Sequence, residues 1–261
     1  MKLSEQAQLC CLSYKLHKET EYEFCKRLES SSPLKGYSIQ CFAEDGMEGY
    51  VAFDAKTYHA FVVFRGTEEL SDVLADVFVS RTPSPFGKGL VHHGCATHLL
   101  NGWNTICALL EYKAPRTVTC IGHSLGGMLA TLTAAWYSGV GRVTELTTFG
   151  SPPIGDTEFC EYLKAKLYHR FPGKKSNKLA IRHVVNGSDI VPRLWVPRIL
   201  GFKLPGTVCY LTTDGTFIID PSWWLRLCDR VGYMWRTRSF STCFSSHSCA
   251  DYASALEAVK L

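Results

Sequence analysis

Ser124 is the residue around which the chemistry of this chain can be organised. It sits in "CIGHSLGGML", residues 120–129, with Gly122 two positions before it and Gly126 two positions after it. A serine hydroxyl is a weak nucleophile until a base takes its proton, and the base needs a carboxylate to orient it. The tight strand-to-helix turn that exposes such a serine leaves no space for side chains at those two flanking positions. Three fixed positions make a weak motif, so context decides. The run "TVTCIG" before the serine reads as a strand and "GMLATLTAAWY" after it as an alanine-rich helix. A glycine turn of structural use alone would not require serine at its apex. The backbone amide of Leu125, at the helix start, can donate to an oxyanion.

Downstream of the serine lie His169, His183 and His247. His169 ends a charged helix, and His183 falls inside the strand "LAIRHVV", where a structural histidine is expected. His247, in "FSSHSCADYASAL", occupies a polar loop before a short terminal helix, from which an imidazole can reach the turn. For the orienting acid, Asp189 in "VVNGSDIVPRL" follows a parallel strand at the carboxyl edge, where active sites of open α/β sheets gather. A loop aspartate satisfied by its own turn is the plainer alternative. Asp156 reads as a helix cap, Asp214 as a turn residue, and Asp220 and Asp229 as surface groups. Upstream, "FVVFRGTEE" ends a hydrophobic strand at Arg65-Gly66-Thr67, and Thr67 can offer an amide and a hydroxyl to an oxyanion. An ordinary strand exit explains it equally.

The elements that must position these groups follow from periodicity. Residues 3–29 read as one helix, broken by "SSPLKG". Three strand-like runs follow, "YSIQCFA", "YVAFDA" and "HAFVVFRGT", then helical spacing from Leu99 to Leu110. From Thr117 to Val185 strands alternate with helices, which calls for right-handed crossovers and a mostly parallel sheet. "GTVCYLTTDGTFII" reads as a hairpin about Asp214-Gly215. Its continuation, "PSWWLRLCDRVGYMWRTRSF", is dense in tryptophan and arginine.

At 261 residues and 46% hydrophobic, the chain can bury one large core. A net charge of +4 is far from that of a nucleic-acid binder, and no Walker-type loop or paired C-x-x-C occurs. No 18-residue apolar run is present to span a membrane, and the N-terminus lacks the apolar core of a signal peptide. Of the twelve cysteines, Cys120 and Cys209 fall in strands, and Cys107, Cys160 and Cys228 on helical stretches among apolar neighbours. That usage fits small buried hydrophobes in a reducing compartment, and a cytoplasmic protein is expected.

The segments "FRGT" (64–67), "VHHG" (91–94), "GHSLGG" (122–127), "TFGSPPIGD" (148–156), "HVVNGSDIVPRL" (183–194) and "HSCADY" (247–252) resemble, in order and spacing, the class 3 (fungal-type) lipases of the α/β-hydrolase fold. The resemblance implies a mostly parallel central sheet flanked by helices in a single α/β domain. It implies Ser124 as nucleophile, Asp189 as acid and His247 as base, with Thr67 and the Leu125 amide as oxyanion hole. Residues 36–261 would form the catalytic domain, with 1–35 a helical segment packed on it. The implied chemistry is acyl transfer from lipid esters (acylglycerols or phospholipids), which needs no metal or organic cofactor.

The resemblance also places a lid near "EELSDVLADVFVS", 68–80, where Leu70, Val73, Leu74 and Val77 share one helical face. A fixed surface helix is the alternative. For residues 223–240, a core-facing stripe with solvated arginines is expected over docking to anionic lipid. The expected partner is a lipid ester substrate, with transient contact at a membrane or lipid-droplet surface compatible with it. No nucleic acid and no protein partner is inferred. A soluble short-chain esterase and a non-catalytic acyl-ligand or protein-binding module are the rival functions.

Overall fold

The computed structural model describes residues 1–15, 19–44, 46–67, 81–168, 180–193, 201–237 and 247–259. The chain enters through helices α1 (Leu3–Leu12) and α2 (Glu21–Ser30). The periodicity over residues 3–29 predicts one helix, and the structure has two. Thr20 separates them: its hydroxyl accepts from the Glu23 amide while the Glu23 carboxylate accepts from the Thr20 amide. This reciprocal capping box starts a new helix and was readable as Thr-x-x-Glu.

The described strands of the main sheet are β1 (Ser38–Glu44), β2 (Met47–Asp54), β3 (His59–Phe64), β6 (Thr117–His123), β7 (Val143–Phe149), β8 (Ile181–Asn186), β9 (Thr207–Leu211) and β10 (Phe217–Ile219), side by side in that order. Strands β3, β6, β7, β8 and β9 are parallel, whereas β1, β2 and β10 pair antiparallel at the two borders. Short strands β4 (Arg81–Pro83) and β5 (Leu90–His92) form a separate ribbon.

The crossovers use helices α3 (His93–Lys113), α4 (Leu125–Tyr137) and α5 (Thr157–Tyr168). Asp156 caps α5 through the Phe159 amide at 2.9 Å, as its position suggested. Helix α4 is buried along nearly its whole length, which is why its sequence is small and apolar. Two cores result. Helices α3, α4 and α5 cover one face with Leu99, Ile106, Met128, Leu132, Phe159 and Leu163. On the other, Leu9, Phe24, Leu28 and Leu34 from the N-terminal segment join Phe61, Ile121, Phe149 and Tyr252. The chain closes with α6 (Trp223–Thr237) and α7 (Cys249–Ala258), the latter packed against α1. Among the described residues no helix is long and apolar enough to cross a membrane.

Parallel strands point their carboxyl ends the same way. Residues following β3, β6, β7 and β8 therefore meet at one rim.

Candidate active site

Ser124 lies between β6 and α4 with φ 55° and ψ −128°, a conformation unusual for a residue with a side chain. Backbone of this kind costs about 1–3 kcal/mol and persists where the surroundings enforce it. Here they do. A Cβ on Gly122 would overlap the Gly126 carbonyl, and one on Gly126 would come within 2.5 Å of the Arg65 carbonyl oxygen. Both glycines therefore occupy crowded positions of the turn, with the strand β3 exit lying directly against it. One on Gly127 would strike Ser151, so this glycine lets α4 approach the sheet.

Three side chains separated along the sequence converge here. Ser124 Oγ lies 2.8 Å from His247 Nε2, and His247 Nδ1 lies 2.8 Å from Asp189 Oδ2. Ser124 and Asp189 are fully buried and His247 is 9% exposed. The carboxylate can only accept, so Nδ1 carries the proton and Nε2 is left to receive the serine's. Asp189 is satisfied on both oxygens: Oδ1 accepts the Val191 amide at 2.8 Å, and Oδ2 also accepts the Tyr252 hydroxyl at 2.6 Å. Burial, then the neighbouring carboxylate, pushes the Tyr252 phenol well up, which keeps it a proton donor.

Leu125 is the first residue of α4, so its amide has no partner within the helix and points out of the positive end. Thr67 is half-buried and follows Gly66. A Cβ on Gly66 would fall 2.6 Å from the His123 carbonyl oxygen and 3.0 Å from Ser124 Cβ, so this strand exit crosses the serine turn. The lid residues Leu70, Val73, Leu74 and Val77 lie outside the described residues, as do 238–240 of the tryptophan-rich tail.

A second layer holds the histidine, and no motif or spacing in the sequence announces it. His123 Nε2 lies 2.7 Å from the His247 carbonyl oxygen. A carbonyl cannot donate, so His123 carries its proton on Nε2, and its Nδ1 accepts the Tyr14 hydroxyl at 2.7 Å. Burial, with His247 beside it, holds the His123 ring well below the usual histidine range and hence neutral. Gly150, with φ 61°, passes so close that an added Cβ would lie 2.9 Å from Asp189 Oδ2 and 3.0 Å from His247 Cε1.

The other candidates settle elsewhere. His183 is buried in β8, its Nδ1 2.6 Å from the Thr148 hydroxyl, and burial lowers it to about 4. Asp214 caps its hairpin turn through the Thr216 amide. Asp229 is no loose surface group: it accepts from the Tyr210 hydroxyl and from the Thr213 amide and hydroxyl. Asp220 accepts the Val208 amide at 2.8 Å. Cys228, expected among apolar neighbours, is exposed on α6.

The sequence model of the class 3 lipases matches residues 61–198, more than half of the chain. This chain belongs to the class 3 lipase family. It is similar to a lipase of Caenorhabditis elegans, 29% identical over 208 residues, covering 74% of this chain and 53% of that one. It is also similar to a secreted mono- and diacylglycerol lipase of Fusarium solani, 25% identical over 187 residues, covering 69% of this chain and 51% of that one. The class 3 lipase chain thus spans about half the length of these curated relatives. Its fold matches a solved triacylglycerol lipase whose catalytic centre is described as a serine-protease triad, with a TM-score of 0.65, 22% identity and coverage of 83% and 82%. The strand order and the turn at Ser124 are those of the α/β-hydrolase fold that this family shares with the solved structure.

Proposed function

We propose that this protein hydrolyses carboxylic esters of lipids, acylglycerols or phospholipids, through an acyl-enzyme on Ser124. The observation that carries the reading is the unbroken relay from Ser124 Oγ through His247 to Asp189, each link 2.8 Å. His247 Nε2 takes the serine proton as Oγ adds to the ester carbonyl. Asp189 keeps its charge and holds the imidazole in the one tautomer that can accept there. The oxyanion is held by the Leu125 amide and by Thr67, each such donor being worth about 3 kcal/mol of barrier. His247 then passes its proton to the leaving alcohol. Water, deprotonated by the same ring, releases the fatty acid and restores Ser124.

The lipid class is supported by the family and by what the named relatives act on. Contact with a lipid surface is part of the proposal, because such substrates are held in aggregates. Location in a reducing, cytoplasmic compartment is proposed from the cysteines: Cys95, Cys120, Cys160 and Cys209 are buried.

The test is a lipid panel read by mass spectrometry, beside labelling with a fluorophosphonate. Wild type should release fatty acid and take up the probe, and Ser124→Ala should do neither. A wild type that resists the probe and turns over no ester returns the chain to an acyl-binding module. Hydrolysis that shows no preference across the solubility limit of the substrate would make it a soluble esterase.

A further inference from the structure

Helix α6 is mounted with its polar side against the protein and its apolar side outward. Residues at 100° intervals place Trp223, Leu227, Val231, Trp224, Trp235 and Cys228 on one continuous arc. All six are exposed (Trp223 is 69% exposed, Trp224 58% and Trp235 82%), and of the rest of the helix only Arg236 is exposed, although no residue of the helix is fully buried. The opposite arc faces the body. Asp229 from that arc accepts from the Tyr210 hydroxyl at 2.9 Å and from the Thr213 hydroxyl at 2.6 Å, and Arg236 donates to the Thr213 hydroxyl at 2.8 Å. The core-facing stripe expected from the sequence is thereby corrected. Periodicity found the two faces correctly, but the buried-face rule assigned them the wrong way round, because Asp229 has built its own polar socket on the hairpin of β9 and β10.

The attachment point places this face near the reaction. Asp229 Oδ2 lies so close to Gly187 that a Cβ there would be 2.5 Å away, and Gly187 begins the turn that ends in Asp189. Arg193 ties the same pieces together, donating to the Gly187 carbonyl at 2.9 Å and to the Tyr210 hydroxyl at 3.0 Å. The outward arc therefore rides on the loop that carries the acid of the triad, at the rim where the substrate carbonyl must arrive.

We propose that α6 is an interfacial anchor that seats the protein on an anionic lipid surface. Tryptophan indoles suit the boundary between head groups and acyl chains, where the ring is covered and the N–H stays wet. The charge on the helix chooses the lipid. Arg226 and Arg230 border the apolar arc on one side and Arg236 lies beyond the other, while the one acid, Asp229, is turned inward and engaged. An arrangement of aromatic rings with guanidinium groups at the borders fits phosphate or carboxylate head groups beneath which the rings can sink. The inference deepens the lipid-ester reading by naming the surface on which the substrate is met, and it rests on that reading for its purpose.

Binding is measured apart from turnover on the full chain carrying Ser124→Ala, by sedimentation with phosphatidylcholine vesicles and with vesicles containing about 30% phosphatidylserine. Partition to the anionic vesicles should exceed that to the neutral ones and fall as salt is raised. Trp224→Ala with Trp235→Ala should weaken partition to both by about tenfold or more. Arg226→Gln with Arg230→Gln should cost about fivefold per charge on anionic vesicles and little on neutral ones. An environment-sensitive dye on the exposed Cys228, at the edge of the arc, should shift to the blue only on binding vesicles. Equal partition of parent and variants, or no dye shift on bound protein, overturns the anchor. A concentration-dependent dimer abolished by the tryptophan changes would show that a second copy covers the face, and would overturn it too. Hydrolysis of a long-chain acylglycerol dispersed in neutral detergent micelles, by the same tryptophan and arginine variants with Ser124 retained, separates this failure from failure of the lipid-ester reading: normal rates there with no vesicle binding sink the anchor alone.

Discussion

The hydroxyl of Tyr252 donates to Asp189 Oδ2, the same oxygen that receives the proton-bearing Nδ1 of His247, at 2.6 and 2.8 Å. The phenol and the imidazole compete for one site of negative charge. Removing the phenol takes away one of the two hydrogen bonds to the oxygen that holds the imidazole in place. Tyr252→Phe keeps the ring and its packing and deletes only the donor. A hydrogen bond to a charged group is worth about 1.5–3 kcal/mol. The expected outcome is a fall in kcat/KM of about tenfold on a soluble ester, with thermal stability lowered only slightly. Steady-state kinetics and thermal melting of both forms check it; an unchanged kcat/KM would leave Tyr252 a packing residue.

Gly150 offers a sharper cut. Its φ of 61° is in the left-handed region, and a Cβ would press on both Asp189 Oδ2 and His247 Cε1. Gly150→Ala therefore meets a backbone cost of about 1–2 kcal/mol and also pushes the acid and base apart. Activity should drop by at least about a hundredfold, since misplacement of reacting groups by an ångström costs that much. Thermal melting should show the smaller stability loss. Normal kcat in a correctly folded variant would mean that the close approach is incidental.

What could be read in advance follows the range of the interactions. Ser124, Gly122 and Gly126 are local, because a turn within one strand–helix unit dictates its own residues. Asp189 and His247 were legible because strand order sends their loops to the rim of Ser124, so topology replaced contact information. Tyr14 was not: its partner His123 is 109 positions away, and nothing in the spacing of either residue announces the pair. Helix α6 failed for a different reason. Its amphipathic pattern was plain, but a pattern names two faces without saying which one touches the body. That is decided by the hydrogen bonds of Asp229, a residue that looked like surface decoration.

Tyr14 deserves its own variant because it links the N-terminal segment to the catalytic rim. Its oxygen receives the Gly66 amide, while its proton goes to His123 Nδ1 and so steadies the His247 carbonyl through His123 Nε2. Tyr14→Phe strands a buried amide and a buried ring nitrogen, at about 1–3 kcal/mol. Chemical denaturation should show that loss. Because Gly66 precedes Thr67, kcat should fall while KM for a short ester stays nearly level. A KM change alone would place Tyr14 in substrate binding instead.

The thiols should react in an order set by burial. Burial pushes Cys120 and Cys160 up to about 12, and Cys107 and Cys209 up to about 11, so at neutral pH almost none of each is thiolate. Cys228 is exposed. Brief iodoacetamide treatment of the native protein, followed by peptide mapping, should find Cys228 modified first among these five and Cys120 protected until denaturant is added. Early loss of Cys120 would mean that the central sheet opens readily.

Stability should decline in weak acid through His183. Its folded value of about 4 lies below the value of about 6.5 for an exposed histidine, because burial disfavours the cation. Between those two values the unfolded chain takes up a proton that the folded chain refuses, so unfolding is favoured as pH falls. The stabilisation is whole above about pH 6.5 and is lost progressively toward about pH 4. His123 is shifted in the same direction and adds to the slope. From about pH 7 to about pH 5 the His183 share amounts to about 2 kcal/mol. His183→Asn keeps an acceptor near the Thr148 hydroxyl and removes the titration. Urea unfolding of both forms at several pH values should show the variant losing about 2 kcal/mol less over that interval. Parallel slopes for the two proteins would mean that His183 is protonated in the folded state, with Thr148 no longer donating to it.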